Sequence, residues 1–363
     1  MTSQPFATLQ IQGRTSKRQK RSAALWQTAS IVILSALLFL SSITVAQAAK
    51  PTHEIKFASL APEGTTWLRL MRELDDEIRA ATDGEVGFKI YPGGVQGDEP
   101  DVLRKMRFGQ LHSAGFTGNG LGEILPAMRV LEVPFLYRNK AEIDYILEKF
   151  WPYFDNAFRE KGFVLLGWTE VGYVYFYSNV PIRTTDDLHG LKVWTWQGDP
   201  LAAKLFDALD VTPVPLSVTE VLTALQTGMV DAVYTAPMAA VSMQWFTRVK
   251  YMNLSPLTNS MGAVLMTKKL FDKLTPEQQA SLQGISKRKL QELTILTRED
   301  NRKSIEELER AGVEMIPAPD AAELAKYEQI GEVVRGELAG DLYPESLLNE
   351  IESALEEYRA GVE

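Results

Sequence analysis

From His53 to Ser59 apolar and polar residues alternate, with Ile55 and Phe57 on one face, the pattern of a half-buried strand. Pro62-Glu63-Gly64 punctuates the chain, and Thr65 or Thr66 is placed to cap a helix whose apolar positions, Trp67, Met71, Leu74, Ile78 and Ala81, recur by fours and threes. Asp83-Gly84 stops that helix, and Val86, Phe88 and Ile90 restore strand alternation, so the first two strands are expected to be parallel neighbours. A second helix is predicted from about Pro100 to Phe108, closed at Gly109. Helices near Ala141 to Phe150 and Tyr153 to Lys161 follow, then strands at Phe163 to Trp168 and Tyr173 to Tyr177.

A polar connector occupies Asn179 to Gly190, after which the alternation restarts with a strand at Leu191 to Trp194. Asp199 before Pro200 begins a helix through Phe206. Ser217 and Glu220 have capping-box spacing for a helix ending at Gly228, and Met229 to Tyr234 reads as the next strand. Thr275-Pro276-Glu277 opens a helical pattern that meets no Gly or Pro between Gly284 and Gly312; that stretch can reach roughly 40 Å at about 1.5 Å per residue. The simplest organisation is two α/β lobes joined by extended crossovers, with the long helix bracing both. The boundaries expected are residues 49–174 for the first lobe, 175–263 for the second, 264–311 for a return to the first lobe and the bridging helix, and 312–363 for a C-terminal helical segment.

The first residues stand apart from this pattern. Arg14, Lys17, Arg18, Lys20 and Arg21 precede an uncharged, mostly apolar stretch from Ala23 to Val45, followed by Ala46-Gln47-Ala48. Basic, apolar and small-residue segments in this order predict a secretory signal peptide over residues 1–48, cleaved after Ala48. An uncleaved anchor is the competing reading, and the hydroxyl residues within the stretch weigh against it. Cleavage would leave 33 basic and 47 acidic residues, so the balance moves from −9 to −14. That acidity argues against nucleic acid as a partner.

Absence of cysteine excludes disulfides, thiolate metal sites, thiol nucleophiles and lipid attachment through cysteine. With only His53, His112 and His189, there is little material for a metal centre or a serine-type triad, and no metal or cofactor is expected. The three histidines read as surface or satisfied residues.

Several segments in order carry a family resemblance: Tyr91-Pro92-Gly93-Gly94, Leu131-Glu132-Val133-Pro134-Phe135-Leu136, Asp186-Asp187-Leu188-His189-Gly190-Leu191-Lys192-Val193 and, most specifically, Thr223-Ala224-Leu225-Gln226-Thr227-Gly228-Met229-Val230-Asp231. With the long C-terminal helix, they make the chain resemble the DctP-like periplasmic solute receptors of tripartite ATP-independent periplasmic (TRAP) transporters. The resemblance implies a two-lobed periplasmic binding-protein fold of type II-like form, a helix spanning both lobes, and closure over one ligand delivered to membrane permease subunits. One departure matters. The family normally follows the segment matching Gly190 to Val193 with an arginine that clamps a substrate carboxylate, and this chain has Trp194 there; a second arginine of some members falls near Val174. The segment Val193 to Pro200 instead resembles the subgroup associated with a periplasmic tetratricopeptide-repeat protein, whose cleft is thought to suit hydrophobic ligands.

Candidate ligand contacts follow from strand ends, where open α/β sheets hold ligands, and from the resemblance. Trp194 and Trp196 share a face of an extended strand. Tyr234 and Thr235 end the strand of the signature, Phe116 and Thr117 match a cleft loop, Trp67 heads the first helix, and Tyr173 is the candidate from the run Tyr173, Tyr175, Tyr177. Trp168 and Glu170 could line a hinge or lie in an exposed loop, Asp199 reads as a helix cap, and Glu132 as structural. The expected function is a binding protein without catalysis, its ligand a small hydrophobic or aromatic molecule oriented by Thr, Tyr and Trp hydrogen bonds. A secreted hydrolase is the alternative, though no Gly-x-Ser-x-Gly, His-Glu-x-x-His or glycine-rich phosphate loop is present; a ligand sensor for a signalling protein is another.

Overall fold

The computed structural model describes residues 50–362, so the leader predicted for residues 1–48 lies outside the described residues. In chain order the elements that matter are β1 (His53–Ala58), α1 (Thr66–Ala81), β2 (Val86–Tyr91), α2 (Glu99–Arg107), β3 (Ser113–Thr117), α3 (Gly118–Ile124), α4 (Lys140–Lys149), α5 (Trp151–Glu160) and β4 (Phe163–Ser178). They continue with β5 (Lys192–Trp196), α6 (Pro200–Ala208), β6 (Thr212–Leu216), α7 (Val221–Thr227), β7 (Ala232–Thr235), α8 (Pro237–Ser242), β8 (Tyr251–Asn253) and β9 (Thr258–Thr267). The last are α9 (Lys268–Phe271), α10 (Pro276–Arg310), β10 (Glu314–Ile316), α11 (Ala321–Leu338) and α12 (Glu345–Val362).

β1 and β2 pair in parallel, and α1 crosses between them with Leu68, Leu70, Met71, Leu74 and Ile78 buried. Thr65 caps α1, and the chain turns back through left-handed Asp83 and Gly84. Asp199 caps α6 by accepting from the amides of Leu201 (3.0 Å) and Ala202 (3.3 Å). The Ser217–Glu220 box is present, but it closes a single 3₁₀ turn that leads into α7, and left-handed Gly228 ends α7.

Two sheets share one strand. The first has the order β2-β1-β3-β9-β4, the second β10-β8-β4-β7-β5-β6. Where two strands were expected, at Phe163 to Trp168 and Tyr173 to Tyr177, β4 is a single 16-residue strand. It pairs with β9 as far as Val174 and with β7 from Tyr175 onward, with register shifts at Leu165/Gly167 and Glu170/Gly172. Each shift falls just before a glycine, Gly167 or Gly172, and Gly172 sits at φ +127°. The second sheet takes nothing from β9, which joins the first sheet from Thr258, ahead of the 264 expected for the return.

α10 is 35 residues long, or about 52 Å, exceeding the roughly 40 Å stretch anticipated. It packs on α1 and β4 and reaches α8 of the second lobe. Asn301 of α10 donates to the Val171 carbonyl (2.8 Å) and accepts from the Met238 amide (2.9 Å), pinning the β4 bulge and the start of α8 to one side chain. The first lobe's core gathers Ile55, Phe57, Leu74, Val164, Val264 and Leu290 beneath α1 and α10. The second lobe's core gathers Tyr177, Trp194, Val233 and Trp245.

Candidate functional site

The carboxyl ends of β1 and β3 in one lobe and of β5 and β7 in the other meet around a cavity of about 130 Å³. This is where strand order reverses in each sheet, the place at which α/β folds hold ligands. α8 closes one side with Met238 and Ala239, and Trp67 from the first turn of α1 closes another. Trp67 lies against Gly115, where an added Cβ would stand 2.7 Å from the ring; the glycine is what admits the indole. Every side chain lining this cavity is uncharged.

Of the eight candidates, Trp67, Phe116, Thr117, Trp194, Trp196, Tyr234 and Thr235 line the cavity. Tyr173 does not. The bulge at Gly172 and the strand's alternation present Val171 and Val174 to the cavity, and the Tyr173 ring lies instead under the Lys140 ammonium, 3.6 Å from its centroid. Trp168 and Glu170 are also elsewhere than expected: Trp168 is buried against Phe154 and Phe158, and buried Glu170 pairs with Lys140 and with Arg298 of α10 (2.8 Å).

Trp194 is the centre of an aromatic wall, 5.1 Å from Trp196, 5.2 Å from Trp245 and 5.3 Å from Tyr234 between ring centroids. The indole is 1% exposed, and its N–H donates to the Leu216 carbonyl at 3.1 Å. Trp196 donates to Asp98 at 3.1 Å, and the Thr117 hydroxyl donates to Glu99 at 2.9 Å. These donors are therefore spent on the protein, contrary to the expectation that indole N–H groups would orient a ligand. The Tyr234 hydroxyl is buried, and burial holds its pKa above the ordinary value.

Two cross-lobe clusters flank the cavity. Asp98 caps α2 in the first lobe and accepts from Trp196 Nε1, Ser217 Oγ (2.8 Å) and the Val218 amide (3.0 Å) in the second. On the other side Arg129, in the 3₁₀ turn Pro126–Glu132, donates to Asp199 (3.0 and 3.1 Å) across the lobes and pairs with Glu132 (3.0 Å). All three are nearly solvent-free. Burial would lower the Arg129 pKa, but the two carboxylates outweigh it; burial raises that of Glu132 despite Arg129. Glu99, next to Asp98, accepts from the Thr117 and Gly120 amides (both 2.6 Å), and burial pushes its carboxyl up to about 7 against those donors.

None of Asp98, Glu99 or Arg129 is recognisable as a site residue from local spacing. A signal does exist in α3, which carries Gly118, Gly120 and Gly122 within seven residues. Such a helix is costly to form, at about 1 kcal/mol per glycine relative to alanine. Each glycine makes room for one buried charged side chain: Glu132 at Gly118, Glu99 at Gly120 and Arg129 at Gly122.

Residues 57–339 match the family of bacterial extracellular solute-binding proteins, family 7, DctP. The chain is 28% identical over 273 residues to the 2,3-diketo-L-gulonate-binding periplasmic protein YiaO of Escherichia coli strain K12, covering 75% of this chain and 82% of that protein. Among solved structures, a TRAP periplasmic solute-binding protein of a Bradyrhizobium species, in complex with D-galacturonate, is 25% identical with a TM-score of 0.77, covering 83% of this chain and 99% of that one. One from Chromohalobacter salexigens, with bound D-glucuronate, is 25% identical with a TM-score of 0.76 and the same coverage.

Proposed function

The chain belongs to family 7 of the bacterial extracellular solute-binding proteins, the DctP family, and we propose that its cleft captures a small organic molecule with a hydrophobic or aromatic body. It is a periplasmic solute receptor of a TRAP transporter, with a small-molecule ligand and the TRAP permease as its partners. The observation that carries the ligand reading is Trp194 standing where the family's arginine is expected, buried in an aromatic wall where its own N–H and that of Trp196 already have acceptors inside the protein. An aromatic ring burying about 150 Å² there gains about 4 kcal/mol at about 25 cal/mol per Å². A uronate, the ligand of the two solved relatives, would bring a carboxylate into a cavity lined only by uncharged side chains. Removing an ion from water with no partner costs several kcal/mol.

Residues 1–48 act in this reading as a cleaved export signal, and the resemblance of the segment Val193 to Pro200 to the tetratricopeptide-associated subgroup supports a tetratricopeptide-repeat protein as a further partner. The lobes close over the ligand by bending where β4 and the 254–257 connector from β8 to β9 pass between them. The test is native mass spectrometry of the receptor purified from its own periplasm, followed by extraction of the bound compound and a thermal-shift panel. A compound with an apolar body is expected. Micromolar binding of D-glucuronate or a C4-dicarboxylate would overturn the ligand assignment.

A further inference from the structure

A second chamber, of about 60 Å³, opens beside the main cavity and shares Thr117, Val174, Trp196, Tyr234 and Ser260 with it. Asn119 and Arg129 line this chamber, 7% and 5% exposed, and each has a buried N–H without a partner: Nδ2 of Asn119 and Nε of Arg129. A buried donor left unpaired is costly, and together with the Tyr234 hydroxyl, which lines both chambers and is likewise unpartnered, this pair is what calls for an acceptor in the site. The charge around them selects which acceptor. Arg129 already holds Asp199 and Glu132, so the cluster carries two carboxylates for one guanidinium.

We propose that the chamber binds an uncharged oxygen acceptor of the ligand, a carbonyl or hydroxyl, so that the receptor discriminates against organic anions and selects a neutral molecule with an apolar body. A carboxylate placed there would face Asp199 and Glu132 at short range in a site shielded from water. A cation would meet the two carboxylates favourably but find N–H donors where it needs acceptors. A neutral oxygen accepts from such N–H donors and meets neither obstacle. The volume suits one small polar group, with the ligand's body lying against Trp194 and Trp196 in the larger cavity.

This inference rests on the apolar-ligand reading above, and the experiment separates the two. Isothermal titration at pH 7.5 compares three probes of similar shape: ethylbenzene, phenylacetamide and phenylacetate. Phenylacetamide is expected to bind at least about tenfold more tightly than phenylacetate, and about tenfold more tightly than ethylbenzene, the worth of a satisfied buried hydrogen bond. Asn119→Leu, which removes one of the two donors, is expected to cut the amide's advantage over ethylbenzene by at least about threefold. Equal or tighter binding of phenylacetate in the unmodified receptor overturns the proposal without recourse to any variant. An amide advantage that is undiminished in a folded Asn119→Leu variant also overturns it. If ethylbenzene and phenylacetamide both fail to bind at millimolar concentration, the apolar-ligand reading itself falls.

Discussion

Replacing Asp98 by alanine removes two kinds of interaction, and their consequences fall on different observables. As the cap of α2, Asp98 accepts from the Glu99 amide at 2.7 Å within its own lobe; losing that cap lowers stability by about 1 kcal/mol whether the lobes are together or apart. Its bonds to Trp196, Ser217 and Val218 cross between lobes and exist only when the lobes are together. Hydrogen bonds to a charged group contribute about 1.5–3 kcal/mol each in net terms. Three such bonds at a rim that water can re-enter justify a lower bound of about 2 kcal/mol on closure, or about thirtyfold in ligand affinity. The assay is calorimetric titration of the ligand that co-purifies with the receptor, alongside thermal melting of the ligand-free protein and small-angle scattering with and without ligand. Asp98→Ala should lower affinity about thirtyfold and raise the radius of gyration of the ligand-mixed sample. Asp98→Asn, which keeps a good cap and one acceptor oxygen, should fall between. A variant whose melting temperature drops while its affinity stays within about twofold would refute the reasoning, because it would confine Asp98 to capping α2.

The remaining expectations concern the buried charges and the aromatic wall. Glu99 is pushed up to about 7, so between the ordinary 4.5 and 7 the folded state keeps a proton that the unfolded chain has released. Its contribution is therefore most favourable below pH 4.5 and is lost as pH rises through 7, by about 3 kcal/mol, and urea unfolding at pH 5 and 8 should show that slope flattened in Glu99→Gln. Arg129→Met leaves Glu132 and Asp199 buried without their cation and should cost about 3–5 kcal/mol in urea unfolding; a loss under about 1 kcal/mol would mean the cluster is hydrated and weak. Trp194→Ala should cost about 3–5 kcal/mol, as expected for emptying a fully buried aromatic site. Trp194→Phe should keep ligand affinity within about threefold, since the indole N–H serves Leu216 and not the ligand; a larger loss would place that N–H on the ligand.

Much of the scaffold was legible because it depends on short-range rules. Alternation marked β1 and β2, threefold and fourfold spacing marked α1, and Asp199-Pro200 and Thr275-Pro276 marked the starts of α6 and α10. The reading of β4 as two strands failed for a definite reason. Gly172 falls in the gap between the two expected strands, yet pairing with β9 holds the strand together through the register shifts on either side of Trp168. The same shift misled the choice of Tyr173, since one extra residue in a strand changes which side chains face the cleft. The glycines of α3 were visible but uninterpretable without knowing that Glu132, Glu99 and Arg129 would pack against them.

By itself the chain determined its α/β alternation, its caps, its long helix and the uncharged aromatic character at position 194, all properties of residues within a few positions of each other. Only the tertiary structure decided which polar groups meet. Asp98 reaches Trp196 across 98 positions and Arg129 reaches Asp199 across 70. Those pairs arise from the docking of two lobes, and no local period or cap encodes which residues of one lobe will face the other. The physical reason is that burial makes an unpaired charge too costly to tolerate, so the pairing is set by the geometry of closure and the compensating residue can lie anywhere in the sequence.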